Sequence, residues 1–242
     1  MYVWLMLVLL LAGCTRKDEV TSYFKADAKT AGLLKGRAVF VGKRPALRTV
    51  DLDQDPDCVR AHGKRVVADE SFVESNSGLA NVFVYIKSGL EGKAFEPPKA
   101  AVPIDQKRCW FQPRIIGIQT SQSLRVSNSD PVTHNIHPMA QINREWNQSQ
   151  SQGASPLSRR FTRREIMIPV KCNIHGWMRA FIGVVEHPYF AVTGREGAFE
   201  IKDVPPGDYT LAAWHEKLGV QEVPITVAAS GTVQTAFRFK GE

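Results

Sequence analysis

The stretch that most constrains this chain is 171–178, which reads KCNIHGWM and places a thiol, an imidazole and a thioether within seven positions. Side chains alternate between the two faces of a strand, so a strand cannot direct Cys172, His175 and Met178 at one point. The chain must therefore turn within 173–176, where asparagine and glycine favour a turn. The pattern predicts a strand into Cys172, a short loop and a returning strand.

The residue types in this stretch indicate a metal. Thiolate, thioether and imidazole are ligands that suit copper, and a mononuclear site with two His, one Cys and a weak axial Met needs one more histidine. The best candidate is His134, in the run NSDPVTHNIH at 128–137. The alternative interpretation is a buried structural Cys172 with a histidine nearby by chance.

Cys-x-x-His-x-x-Met, preceded about 40 residues earlier by Asn-x-Asp-x-x-x-His-Asn, resembles the ligand pattern of the cupredoxins, most closely the amicyanin and plastocyanin branch. The resemblance covers roughly 102–186. It implies one type 1 copper ion per chain, held by His134, Cys172, His175 and Met178. It also implies that the backbone N–H of Asn135 donates to the cysteine sulfur.

Residues that are missing from the pattern narrow the chemistry. A dinuclear copper centre needs a second cysteine in the loop, where Asn173 and Ile174 stand, and catalytic copper clusters need a histidine beside the cysteine, where Lys171 stands. We therefore expect a carrier of single electrons and not an enzyme. Two other classes stay open: a non-redox copper-binding or storage module, and a structural or ligand-binding β-sandwich with a degenerate site.

The N-terminal residues 1–13 are apolar but shorter than the roughly 20 residues that span a bilayer, and they fit a secretory signal. LAGC at 11–14 resembles the lipobox of bacterial lipoproteins, which implies lipidation of Cys14. No Lys or Arg precedes the apolar run, which departs from that pattern, and an ordinary signal peptide is the alternative. We expect a periplasm-facing lipoprotein of the bacterial cell envelope, in the outer membrane, with a tether over 14–32.

Two further cysteines, Cys58 and Cys109, are left over. In an oxidising exported compartment such a pair is expected to form a disulfide. The rival interpretation is a second metal site that uses Cys58 and His62.

From residue 33 onward we predict an all-β chain, with 45–76 irregular and charged. The run GAFEI…VPPGDYTL at 197–211 resembles the transthyretin-like fold of carboxypeptidase regulatory domains, and 36–45 resembles the opening of that domain. The predicted fold class is a cupredoxin Greek-key β-sandwich at 99–187 plus a second, small transthyretin-like β-sandwich. Our hypothesis is that the N-terminal β region 33–98 and the C-terminal 188–242 share that second sandwich, with the cupredoxin inserted. Two domains in series are the alternative.

The net charge of +7 suggests an acidic redox partner, such as a cytochrome c or a dehydrogenase, or an anionic surface; the alternative is that the excess charge only solvates the protein surface. No recognition motif for nucleic acid accompanies the charge. The cupredoxin resemblance implies docking at the His175 edge, which we expect to be framed by Trp177, Pro138 and Met139. We expect steering by the four arginines that precede the strand into the copper loop, Arg159, Arg160, Arg163 and Arg164. His137, His187 and His215 are expected to be surface or structural groups.

Overall fold

The structure is a computed structural model and describes residues 22–46, 48–64, 66–68, 72 and 74–241. The predicted signal peptide at 1–13 and the lipidation of Cys14 lie outside these residues. Within the described part of the chain, no helix is long and apolar enough to cross a membrane. The predicted all-β class is confirmed.

The N-terminal third contains six strands and one helix: β1 (Gly32–Val41), β2 (Thr49–Asp51), α1 (Pro56–His62), β3 (Val66–Ala68), β4 (Glu74–Ser75), β5 (Gly78–Leu79) and β6 (Phe83–Ser88). The middle contains β7 (Val102–Lys107), β8 (Trp110–Gln112), β9 (Ile115–Gln119), β10 (Ser123–Asn128), β11 (His134–Pro138), β12 (Gln148–Gln150), β13 (Leu157–Arg160), β14 (Glu165–Lys171) and β15 (Arg179–Val185). The C-terminal part contains β16 (Phe190–Val192), β17 (Ala198–Val204), β18 (Gly207–His215), β19 (Gly219–Val227) and β20 (Thr232–Lys240).

The outer sandwich, as we call the first, combines strands from both ends of the chain. β1 pairs antiparallel with β17 and β5 and parallel with β20, while β6 pairs with β16 and β18 in the facing sheet. One apolar core joins the two sheets, with Leu34, Val84, Leu211 and Phe239 among its fully buried members. This sandwich is therefore discontinuous in sequence.

The inner sandwich, as we call the second, is formed by the strands between β6 and β16. Its sheets have the orders β13-β10-β7-β8 and β12-β11-β14-β15-β9. Its core contains Ile104, Ile118 and Val126 and extends to Cys172 and Met178 at one end. The candidate metal site therefore lies where the apolar core meets the ends of β11 and β14.

The two sandwiches pack against each other through a separate apolar cluster. Phe83 of β6 and Phe190 of β16 lie against β9 and β15, where the glycines Gly117 and Gly183 leave room for their rings. A Cβ at Gly117 would lie 2.3 Å from the Phe190 ring, so a larger residue would push the sheets apart. Arg114 and Glu216 add a buried bidentate ion pair across the junction.

Residues 49–64 and 66–68, which we call the cap segment, leave the outer sandwich and cover one end of the inner one. Leu52 and Cys58 are fully buried in the inner core. The predicted disulfide is present and joins Cys58 to Cys109 in the turn between β7 and β8. Cys58 is thus not a free thiol for the rival metal site with His62.

The cap segment also corrects the prediction that 45–76 is irregular. It contains α1 and the antiparallel pair formed by β2 and β3. The helix begins because Asp55 accepts from the N–H groups of Asp57 and Cys58 and Pro56 opens the first turn, two standard helix-start features. Part of the predicted tether is likewise ordered, since Phe24 N–H donates to the carbonyl of Ala94.

Candidate metal centre

Two neighbouring strands bring the predicted ligands together. β14 ends at Lys171, directly before Cys172, and β15 returns from Arg179. β11 begins at His134 and pairs with β14, so the histidine lies beside the loop. Met178 N–H donates to the carbonyl of His175, and the N–H of His175 donates to Cys172 Sγ at 3.3 Å, which closes the loop into a tight turn.

Three ligand atoms converge at this end of the inner sandwich. His134 Nδ1 lies 2.9 Å from His175 Nδ1, which in turn lies 3.9 Å from Cys172 Sγ. The three side chains are buried, and their potential ligand atoms all lie within 4.8 Å of one another. Met178 is fully buried in the apolar cluster that contains Cys172.

The other nitrogen of each histidine is held by a carboxylate. His134 Nε2 lies 2.8 Å from Asp130 Oδ2, and His175 Nε2 lies 2.9 Å from Asp55 Oδ2. A carboxylate accepts and does not donate, so each Nε2 carries the proton and each Nδ1 presents a lone pair. This is the arrangement found around metal-binding histidines, where the second nitrogen is fixed by an acceptor.

The donor set therefore fits a metal ion. Two imidazole lone pairs that face each other at 2.9 Å repel unless a cation lies between them, and a proton or a metal ion satisfies that need. Two imidazoles, a thiol and a thioether belong to the ligand class that suits copper. When copper is bound, His134, Cys172 and His175 would hold it, with Met178 as the weak fourth ligand.

The surroundings of Cys172 lower the pKa of its thiol. Burial opposes ionisation of Cys172, but hydrogen bonds with the His134 and His175 side chains and with the backbone N–H of Asn135 lower its pKa to about 5. At neutral pH the thiol is therefore ionised, and the thiolate is the form that binds metals. The contact with the Asn135 N–H is the one that the cupredoxin resemblance implies.

The pKa values of the two histidines are raised. Burial lowers the pKa of His134, yet its bonds to Asp130 and Cys172 raise it above the ordinary value. The pKa of His175 is raised for the same reasons, through Cys172 and Asp55.

The side chain of Asn135 also forms hydrogen bonds near the ligand loop. Its Oδ1 accepts from the N–H of Asn173 at 2.6 Å, and its Nδ2 donates to Asn147. The side chain thereby ties the ligand loop to β11. His137, three residues past His134, points away from the centre to Glu145 and Asn173.

The residues of the predicted docking surface are largely covered, although Trp177 does lie beside His175, with the ring centroids 5.1 Å apart. The His175 edge is not exposed, because the ring is only 3% accessible and Asp55 covers its Nε2. Pro138 is buried, Met139 and Trp177 are half-buried, and the indole N–H of Trp177 donates to the carbonyl of Cys109.

The basic cluster also lies elsewhere. Arg163 and Arg164 precede β14, whose seven residues at about 3.3 Å each place them roughly 20 Å from Cys172. Arg159 and Arg160 pair with the far end of β10 from Asn128. The four arginines are close to the ligand loop in sequence, but the extended strand carries them to the opposite end of the sandwich.

Two carboxylates that contact the predicted ligand histidines, Asp130 and Asp55, are absent from the predicted site. Asp130 stands four residues before His134 within a run that the cupredoxin pattern already includes, so its spacing could have identified it. Asp55 is 120 residues from His175, and the only local signal is Asp-Pro as a helix start, which gives no indication of a metal.

Comparisons with known proteins are weak. The family model described as polysaccharide lyase family 4, domain II, matches residues 166–235, which is less than half of the chain. No curated protein matches.

Among solved structures, the Cu-containing nitrite reductase from Thermus scotoductus SA-01 is 19% identical, with a TM-score of 0.34, over 41% of this chain and 25% of its own length. An oxidized amicyanin mutant is 18% identical, with a TM-score of 0.32, over 42% of this chain and 97% of its own. A purple cupredoxin from Nitrosopumilus maritimus is 16% identical, with a TM-score of 0.30, over 34% and 98%. TM-scores this low do not bear on the function of this chain.

Proposed function

We propose that the chain binds one copper ion at the centre formed by His134, Cys172, His175 and Met178, and that it carries single electrons between redox partners. The observation that supports this most is the convergence of two imidazole Nδ1 atoms on a buried thiol whose pKa is about 5. Copper would supply the exchange of one electron. The protein supplies a preformed set of ligands.

Each part of the site has a role in that proposal. Cys172 binds as thiolate, and the N–H groups of Asn135 and His175 neutralise part of its charge. Asp130 orients His134 from behind, as Asp55 orients His175. The burial of all three ligands excludes water, so that both charge states of the metal would meet the same surroundings.

The spectrum of the copper-loaded protein tests the proposal. We expect wild-type protein to show an intense visible thiolate-to-copper band with Cu(II) and a reversible one-electron wave. Cys172→Ser should lose the band while its circular dichroism and melting temperature stay close to wild type. Asn173→Ser, which places the same new residue at the exposed neighbour, should keep the band and serves as the control. A visible band that survives in Cys172→Ser would refute the assignment.

A non-redox copper-binding module is the second candidate, and one observation favours it. The edge of His175, through which a partner could approach the metal, is closed by Asp55. Tight copper binding without a reversible wave in voltammetry would support this candidate over the electron carrier.

We further propose that the protein is exported and anchored by lipid at Cys14, facing the periplasm from the outer membrane. The Cys58–Cys109 disulfide supports export, because disulfides persist in oxidising compartments. The net charge of +7 supports a redox partner with an acidic surface.

A further inference from the structure

In sequence, the cap segment lies between two strands of the outer sandwich. In space, it lies against the metal centre of the inner sandwich. It lies between β1 and β4, yet Leu52 and Cys58 are buried in the inner core. The Cys58–Cys109 disulfide fixes it there, and Arg108 Nε donates to the carbonyl of Ala61 at 3.2 Å. A segment 120 residues away from His175 is thus held over the ligand loop.

Within the cap segment, Asp55 uses its two oxygens for two different contacts. Oδ1 accepts from the N–H groups of Asp57 at 2.9 Å and Cys58 at 3.2 Å, which caps α1. Oδ2 lies 2.9 Å from His175 Nε2. Because the first oxygen is fixed by the helix start, the second points at the imidazole in one orientation.

Asp130 makes the corresponding arrangement on the other side of the disulfide. Its oxygens accept from the N–H groups of Arg108 at 2.6 Å and Cys109 at 2.7 Å, and Oδ2 lies 2.8 Å from His134 Nε2. Asp55 stands three residues before Cys58, and Asp130 binds the backbone of Cys109. The two carboxylates that contact the two histidines therefore each accept from the backbone of one of the two disulfide-bonded cysteines.

We infer that Asp55 is a positioning residue for the metal centre. The cap segment places its carboxylate against Nε2 of His175, on the side of the ring away from the other ligands. It fixes the imidazole as the Nε2–H form, so that Nδ1 faces His134 and Cys172, and it closes the His175 edge to solvent and to partners. This inference rests on the proposed copper function. Of the ligand loop, Asn173, Ile174 and Gly176 are what remains exposed, with Ile174 at 51%.

The test compares three variants. Asp55→Ser keeps a good N-cap but removes the carboxylate from His175. Asp55→Asn keeps the shape and the cap and removes the charge. Asp57→Asn is the matched control, because Asp57 lies in the same helical turn and pairs with Arg60.

Two readouts are needed. In metal-free protein, at a pH where His175 is neutral, ¹⁵N chemical shifts should show the imidazole as the Nε2–H form in wild type and in Asp57→Asn, and as a mixture of the two tautomers in Asp55→Ser. Affinity for Co(II), followed by its thiolate band, should fall about 10- to 100-fold in Asp55→Ser and stay unchanged in Asp57→Asn. If Asp55→Ser fails to fold, Asp55→Asn carries the same two measurements.

The results separate this inference from the proposed function. Unchanged shifts and affinity in the Asp55 variants, or an equal loss in Asp57→Asn, would overturn the positioning role. A wild-type protein that shows no thiolate-to-metal band would refute the copper function itself. A wild-type band together with unaffected Asp55 variants would refute only the role of Asp55.

Discussion

Individual residues show where reasoning from sequence succeeds and where it stops. Cys172 and His175 are predicted as ligands because loop spacing and strand alternation are local properties, whereas His134 is predicted from the 128–137 run and its resemblance to the cupredoxin pattern; the structure brings the three together. Asp55 was not predicted, since only the fold brings a residue 120 positions away to His175. The arginines show the opposite case: they are near the loop in sequence, and β14 carries them away from it.

Two buried histidines outside the metal centre make stability depend on pH. Burial lowers the pKa of His187 to about 4, and burial together with Arg114 and Lys217 lowers that of His215 to about 4. An unfolded histidine titrates near 6.5, so between pH 6.5 and 4 the unfolded chain binds protons that the folded chain does not. The free energy of unfolding should therefore fall as pH drops through this range.

We expect the loss between pH 7.5 and 4.5 to be about 2–3 kcal/mol per histidine, measured by urea unfolding. The double variant His187→Gln, His215→Gln should have a flatter pH profile than wild type. The comparison with wild type cancels the contribution of the metal centre, whose ligands are unchanged in both. Parallel profiles for the two proteins would contradict the assignment.

Among the elements, strands were easier to predict than helix α1. The strands on either side of Cys172 follow from their apolar runs, and β18 follows from the VPPGDYTL turn. Helix α1 was missed because its seven residues, Pro56–His62, are too few for a helical period to appear. Its position on the inner sandwich depends on a disulfide and on buried Leu52, neither of which a periodicity reveals.

Removal of the disulfide should loosen the cap segment and cost stability. Cys58 and Cys109 are 51 residues apart, and closing such a loop stabilises the folded chain by about 4 kcal/mol in the chain-entropy account. We expect Cys58→Ala with Cys109→Ala to lower the free energy of unfolding by that order. In the metal-free protein, His175 should also react faster with diethylpyrocarbonate. A stable variant with a protected His175 would show that α1 packing alone holds the cap.

For the whole molecule, the junction between the sandwiches decides whether they behave as one unit. Phe83, Phe190 and the Arg114–Glu216 pair cross it, and Gly117 and Gly183 allow the close approach. The sequence indicated the glycines only as residues within apolar strands. Their role depends on which faces of two separate sandwiches meet, and that is a property of the complete chain.

Gly117→Ala tests the junction. The added Cβ would lie 2.3 Å from the Phe190 ring, so the sheets must shift, and overpacking of this kind costs about 1–3 kcal/mol. Gly194→Ala is the control, because nothing lies within 4 Å of a Cβ there. Thermal unfolding should show a lower melting temperature for the first variant alone. Equal melting temperatures for both variants would mean that the junction accommodates the added Cβ without a loss of stability.

The discontinuous outer sandwich also determines which of the two sandwiches can fold first during synthesis. β1 pairs with β20, and nearly 200 residues separate the two strands. At a synthesis rate of about 5–20 residues per second, β1 waits roughly 10 to 40 seconds for that partner. Every residue of the candidate metal centre, from Asp55 to Met178, leaves the ribosome during this wait. The inner sandwich can thus fold around its ligands while the edges of β1 and β6 are still unpaired. Unpaired strand edges are prone to aggregate, so the nascent chain most needs a chaperone during this interval.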